Sequence, residues 1–328
     1  MNHTLQQQCD LFIENRNALK DVFKWSADGM ATAGAAVFTV LGKKAPTDAI
    51  QHCEALLKER TGMLSDFRGT IKIPLLCKMV LSNHPEEYFE TVDKAYRLLN
   101  QGKLGGSSYR AMAALIIADT VEQQGFDTSI ARTNEVYAKM KNAHKWLTSD
   151  EDLPFAAMLA VSGMDATKLI AEAAQCNDLC KDTFRNPNAR QSLSHVLALS
   201  ELPAAEKSAK ASMIWRALKE AKHKYGTGNE IALLGNLASL SVPVEQLVKE
   251  IIEVEEYFKE HKGFGDFSMG ANVRRMMAAL MVMNIHQPWD QSSRDISLQA
   301  SLMMVIQMEI CLLILTSAMV ATTVVTTN

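Results

Sequence analysis

The sequence predicts an all-α fold of about seven helical hairpins, arranged as an α-solenoid or a closed α/α toroid. Three observations predict it. A short apolar helix pattern recurs about every 40 residues, the length of one helix–turn–helix unit. Each copy is followed by a longer amphipathic pattern. Composition agrees: aromatic residues are only 6% of the 328, while methionine occurs 18 times. Packed helices use that mixture, whereas sheets concentrate aromatic and β-branched side chains.

The apolar helices are predicted to begin near Met30, Ile71, Ser108, Leu153, Asn188, Glu230 and Asn272. They fall into two alternating classes. Ile73–Ser82, Leu153–Ser162 and Ile231–Ser241 lie about 80 residues apart, and each ends in Leu-Ser or Val-Ser. Between them, Tyr109–Leu115, Ala189–Leu197 and Val273–Leu280 share an Arg near their start, with Met30–Val37 as a degenerate first copy. The amphipathic helices are predicted over Thr47–Lys58, Glu86–Leu99, Ser129–Lys145, Ala166–Leu179, Ala204–Lys222 and Val244–Phe258. Short apolar helices alternating with long amphipathic ones imply two layers, apolar inside and amphipathic outside.

Punctuation supports these boundaries. Pro46, Pro85, Pro203 and Pro243 stand where outer helices start, a position that tolerates a missing N–H. Pro74 and Pro154 take matching places at inner helix starts. Glycines at 102, 105, 106, 125, 226, 228, 263 and 265 fall between periodic segments as stops and turns. No long stretch alternates with period two, so no sheet is predicted.

Charge and cysteine usage exclude several function classes. A net charge of -3 carries no field that would draw nucleic acid or an anionic membrane surface. The six cysteines (Cys9, Cys53, Cys77, Cys176, Cys180 and Cys311) have no short regular spacing, which favours reduced thiols over a disulfide framework. The start Met1-Asn2-His3-Thr4 lacks a basic stretch leading into an apolar run, so no secretory signal is expected.

One constellation recurs with the repeat. Ser108-x-Arg110, Asn188-x-Arg190 and Asn272-x-Arg274 each place a capping type of side chain two residues before an Arg. Free N–H groups and guanidinium at one end of a stack would suit phosphate or carboxylate, which makes these six residues anion-binding candidates. The commoner role for such an Arg is a structural brace to the neighbouring hairpin. In the first copy, Asp28-Gly29-Met30, the Arg is absent.

Other chemistry is sparse. Cys176 and Cys180 share a helix face, but His195 brings no zinc pattern, so two core thiols are expected and no metal. The acidic run Ser149-Asp150-Glu151-Asp152 precedes an inner helix, where the dipole alone favours it. The loop Gly263–Gly270 carries Phe264 and Phe267, either to cover a ligand mouth or to tuck onto the last hairpin. No G-x-x-x-x-G-K-[ST], G-x-S-x-G or H-E-x-x-H pattern occurs, and no cofactor is implied.

Residues 1–296 are predicted to form the repeat domain, and 297–328 an apolar C-terminal helix packed on or within it. Leu302 to Val325 is almost wholly apolar, interrupted early only by Gln307 and Glu309, and reaches the roughly 20 residues needed to span a bilayer. Against an anchor, Glu309 would cost about 2–3 kcal/mol in hydrocarbon, and the nearest upstream basic residue is Arg294. Burial in the lumen of the repeat is the leading expectation; a membrane anchor and a partner-binding helix are the alternatives.

Phe23-Lys24-Trp25, the inner helix at Ile71–Ser82, Tyr109-Arg110-Ala111-Met112-Ala113 and the apolar tail together carry a resemblance. Over nearly its whole length the chain resembles an uncharacterised bacterial family classed as domain of unknown function four thousand and three. That resemblance implies no catalytic residue, and favours a soluble bacterial cytoplasmic protein over a membrane-anchored one. The functional expectation is a non-enzymatic scaffold holding a protein or peptide partner in a concave groove. The alternatives are an α/α-toroid enzyme or small-molecule binder taking an anion on Arg110, Arg190 and Arg274, and a tail-anchored protein.

Overall fold

A computed structural model describes residues 1–23, 28–69, 71–102, 105–143, 150–161 and 165–286. The predicted C-terminal helix, including Leu302 to Val325, lies outside the described residues. Among those described there are fourteen α-helices and no strand. The odd-numbered helices are α1 (His3–Val22), α3 (Thr47–Arg60), α5 (Pro85–Asn100), α7 (Phe126–Ala143), α9 (Ala166–Leu179), α11 (Ala204–Glu220) and α13 (Val244–Lys259). The even-numbered helices are α2 (Asp28–Val40), α4 (Lys72–Leu81), α6 (Ser108–Thr120), α8 (Leu153–Val161), α10 (Pro187–Ala198), α12 (Ala232–Ser239) and α14 (Ala271–His286). Each odd helix packs on the even helix that follows it.

The two sets differ in burial as their patterns require. α6 buries an unbroken run from Ala111 to Ile117, and α8 one from Leu153 to Ala160. A helix apolar all round has to be enclosed on every side. α5 instead buries one stripe, Phe89, Val92, Ala95 and Leu99, at helical spacing. Its remaining face is polar and carries Glu86, Glu87 and Glu90.

The two apolar classes have a structural counterpart. Short 3-10 turns at Asp66–Arg68, Asp150–Asp152 and Asn229–Ile231 precede α4, α8 and α12. Helices α6, α10 and α14 begin without one and carry the recurring Arg. Their caps fall earlier than the sequence reading placed them. Ser107, not Ser108, caps α6, accepting from the Arg110 N–H at 3.2 Å. Asn186, not Asn188, caps α10, accepting from the N–H groups of Asn188 and Ala189. A cap needs extended backbone just outside the helix, and Ser108 and Asn188 are already helical. Asn272 likewise sits inside the first turn of α14, after Gly270 at φ 80°.

The last hairpin meets the first. α14 packs against α1 and α2, and α13 against α1. Phe12 lies 5.4 Å from Phe258 and 6.1 Å from Phe264, and the Arg16 guanidinium sits 4.6 Å above the Phe264 ring. The Met1 ammonium pairs with Glu253 at 2.8 Å, and Tyr257 donates to Asp10. Of the two loop aromatics, Phe264 is therefore core, whereas Phe267 is fully exposed.

Close helix approach is purchased locally by glycine. A Cβ on Gly235 would lie 2.9 Å from Val196 Cγ1, so its absence lets α12 approach α10. The described cysteines, Cys9, Cys53, Cys77, Cys176 and Cys180, are free and buried. Burial pushes the Cys9 and Cys77 thiols up to about 12, which keeps both protonated and inert. No helix among the described residues is long and apolar enough to cross a membrane.

Candidate functional site

Helices α10, α12 and α14 bring their C-terminal ends to one place. Around them lies a cavity of about 430 Å³. Val196, Leu199 and Ser200 from the end of α10, Asn236 and Ser239–Val242 from α12 and its exit, and Ile285 and His286 from α14 line it. That volume falls within the range of small-molecule sites. The wall mixes five apolar side chains with five polar ones and contains no Lys, Arg, Asp or Glu.

The buried amide of Asn236 defines the site. The residue is only 8% exposed, sits in the otherwise apolar run of α12, and its Nδ2 has no hydrogen-bond partner. An unpaired buried donor costs about 1–3 kcal/mol. The neighbouring hydroxyls are differently engaged. Ser239 donates to the Gly235 carbonyl at 3.0 Å, while Ser200 Oγ accepts from the Leu202 N–H at 3.4 Å.

Charge stands behind the wall. His286 Nε2 lies 2.5 Å from Glu250 Oε2 on α13. The Lys207 ammonium reaches the Ser200 carbonyl at 2.8 Å and Glu172 at 2.7 Å. Lys210 donates to the Leu240 carbonyl, and burial lowers its pKa. Both lysines come from α11 and cover carbonyls at helix ends, where cations are favoured.

The arginines singled out by the sequence occupy the opposite ends of the even helices. Arg110 Nη1 donates to the Gly105 carbonyl at 2.6 Å and to Asn100 at 3.0 Å, and Nη2 lies 3.5 Å from Asp150. Arg190 donates to Asn177 at 3.1 Å and to the Phe184 carbonyl at 2.8 Å. Arg274, 1% exposed, donates to the Phe264 carbonyl at 2.9 Å, to Glu255 at 3.3 Å and to Asp266 at 2.8 Å. Each thus ties a loop carbonyl and the preceding odd helix to the start of an even helix. The Nε atoms of Arg110 and Arg274 have no acceptor, although carboxylates meet both charges.

Around Arg274 the network is dense. Glu255, fully buried, also accepts from Arg275 Nε at 3.0 Å and lies 2.8 Å from His223 Nδ1. The Arg274 guanidinium holds the exposed Asp266 carboxyl below its usual range. Of the capping candidates, Ser108 is half-buried, and Asn188 and Asn272 are exposed. None of the six residues lines the cavity.

His195 and Asp152 form a separate buried cluster. Gln191 donates to Asp152 at 3.0 Å, His195 Nδ1 lies 3.6 Å from the same oxygen, and the Phe155 ring stacks on His195 at 4.1 Å. Among the described residues no three His, Cys, Asp or Glu side chains gather as a metal site.

Residues 15–311 match the sequence profile of a family described as protein of unknown function, DUF4003. The chain belongs to that family. No curated protein and no solved structure matches it. The DUF4003 match spans every residue that lines the cavity and every arginine described above.

Sequence reading missed Asn236, His286 and Glu250 as site residues. One signal was present: Asn236 is an amide in the middle of Ile231–Leu240, a run otherwise apolar or small. His286 and Glu250 are 36 residues apart, and only packing of α14 on α13 brings them together.

Proposed function

We propose that this DUF4003 chain binds a small molecule in the cavity at the C-terminal ends of α10, α12 and α14. The pocket itself carries the reading: about 430 Å³ of space, walled by five apolar and five polar side chains, falls within the range of small-molecule sites. Contacts of α13 and α14 with α1 and α2 support a ring of seven hairpins, an α/α toroid, over an open superhelix. A ring has no long concave groove, which places a small ligand ahead of a protein or peptide partner. The arginines act as braces, because each donates through its guanidinium to a loop carbonyl of the chain itself.

Native mass spectrometry of the full-length protein tests this. The wild type should carry a bound mass that Ser239→Phe, which fills the cavity, does not. Equal spectra from both proteins, with no added mass on either after incubation with a small-molecule extract, would sink the proposal.

A further inference from the structure

We propose that the pocket at the ends of α10, α12 and α14 is covered by this chain's own residues Leu302–Ile306, which a small ligand has to displace. The inference rests on the small-molecule reading for the ligand and adds the regulation of its site.

The chain leaves the described fold from the pocket itself. Ile285 and His286, the last two residues of α14, stand in its wall. Residues 287–301 then separate the wall from Leu302. A stretch of that length extends to about 50 Å, so Leu302 can reach any point of the mouth. Attachment to the wall also holds the segment at about millimolar effective concentration, ahead of a free partner in solution. The family match continues to residue 311, so Leu302–Ile306 belongs to the same unit as the pocket.

The two surfaces match in chemistry. Leu302-Met303-Met304-Val305-Ile306 is a run of five apolar side chains without charge. The wall presents Val196, Leu199, Leu240, Val242 and Ile285, and no Lys, Arg, Asp or Glu. Leu199, Val242 and Ile285 are only half-buried, so each has apolar surface left to cover. Removing that surface and the run from water drives the contact, and neither side strands a charge. Beyond Ile306 the run is interrupted by Gln307 and Glu309, and a carboxylate finds no Lys or Arg in the wall. Segment and ligand then exclude each other, so the apparent affinity for the ligand falls by the fraction of chains whose pocket is open.

Photo-crosslinking of the full-length protein tests the contact. A benzophenone side chain in place of Ser241, exposed at the rim, should join to peptides containing residues 302–306 of the same chain. In place of Phe267, exposed in the loop that precedes α14, it should give at least tenfold less of that product. Val305→Asp with Ile306→Asp alters no described residue, and should cut the Ser241 product tenfold or more. It should also let the bound mass of the native spectra appear at a tenfold lower concentration of the small-molecule extract. Absence of the Ser241 product, an equal yield from Phe267, or a product or bound mass indifferent to the two aspartates would overturn the inference. A product joining two chains, in a mixture of isotope-labelled and unlabelled protein, would do the same. The two proposals fail separately. A bound mass without the crosslink leaves the small-molecule reading standing alone. The crosslink without any bound mass leaves the segment on the pocket and ends the small-molecule reading.

Discussion

The two ends of the even helices solve opposite problems. At the N-terminal ends of α10 and α14, Arg190 and Arg274 direct their donors at loop carbonyls and at side chains of the preceding odd helix. At the C-terminal ends of the same two helices, and of α12 between them, an amide donor is left unpaired beside a void. Both ends contain buried polar groups, so burial alone does not mark a site. What distinguishes them is that carbonyls and carboxylates of the chain meet the guanidinium groups, although the Arg274 Nε has no acceptor, whereas the Asn236 Nδ2 has none at all. Groups paired within the chain define the fold, while a buried group left unpaired costs stability.

The sharpest way to break the contrast is at Glu255, the buried acceptor shared by Arg274 and Arg275. Glu255→Ala leaves two guanidinium groups without it, and should cost about 3–5 kcal/mol in urea unfolding. At the other end, Gly235→Ala forces a Cβ against Val196 and should cost about 1–3 kcal/mol. Removing the Arg190 brace with Arg190→Met should cost about 1–2 kcal/mol, measured the same way, because two hydrogen bonds are lost and no buried carboxylate is stranded.

Asn236→Leu should act with the opposite sign. It deletes an unpaired donor, so the ligand-free protein should gain about 1 kcal/mol while the bound mass disappears. A loss of stability instead would mean that Asn236 serves the fold, and the contrast between the two ends would fail.

The smallest effect concerns pH. Glu54 bridges Lys58 and Lys72, the first residue of α4. Burial raises its pKa, but the two ammonium groups outweigh burial and hold the carboxyl below its usual range. Because the folded pKa is the lower one, this contribution is whole above the unfolded carboxylate value and is lost as pH falls through the lowered one. Glu54→Gln should flatten the acid limb of stability against pH by less than about 1 kcal/mol, since the pair is partly solvated.

Much of the fold was legible because the hydrophobic pattern of the sequence is periodic. Ala166–Leu179 is α9 as read from the sequence, and Ser108 and Leu153 open α6 and α8. Pro46 and Pro243 stand at the boundaries of α3 and α13. α1 was not delimited, because neither class of apolar repeat extends into residues 3–22. The caps were displaced by one or two residues, since a Ser or Asn on either side of the boundary has the same composition and only the backbone angle distinguishes them. The arginines were visible as a pattern but not as a role, because Asn100, Asn177 and Glu255 are 10 to 19 residues away at irregular spacings.

The sequence by itself determined that the chain is helical, roughly where its helices fall, and which of them are enclosed. Those properties follow from local propensity and from hydrophobic spacing along one segment at a time. Only the tertiary structure decided that the last hairpin meets the first, that the arginines are engaged by the chain itself, and that the Asn236 Nδ2 is buried without a partner. A hydrogen bond made or missing depends on atoms brought within about 3 Å by packing, and positions as far apart as Tyr257 and Asp10 leave no periodic trace of that encounter.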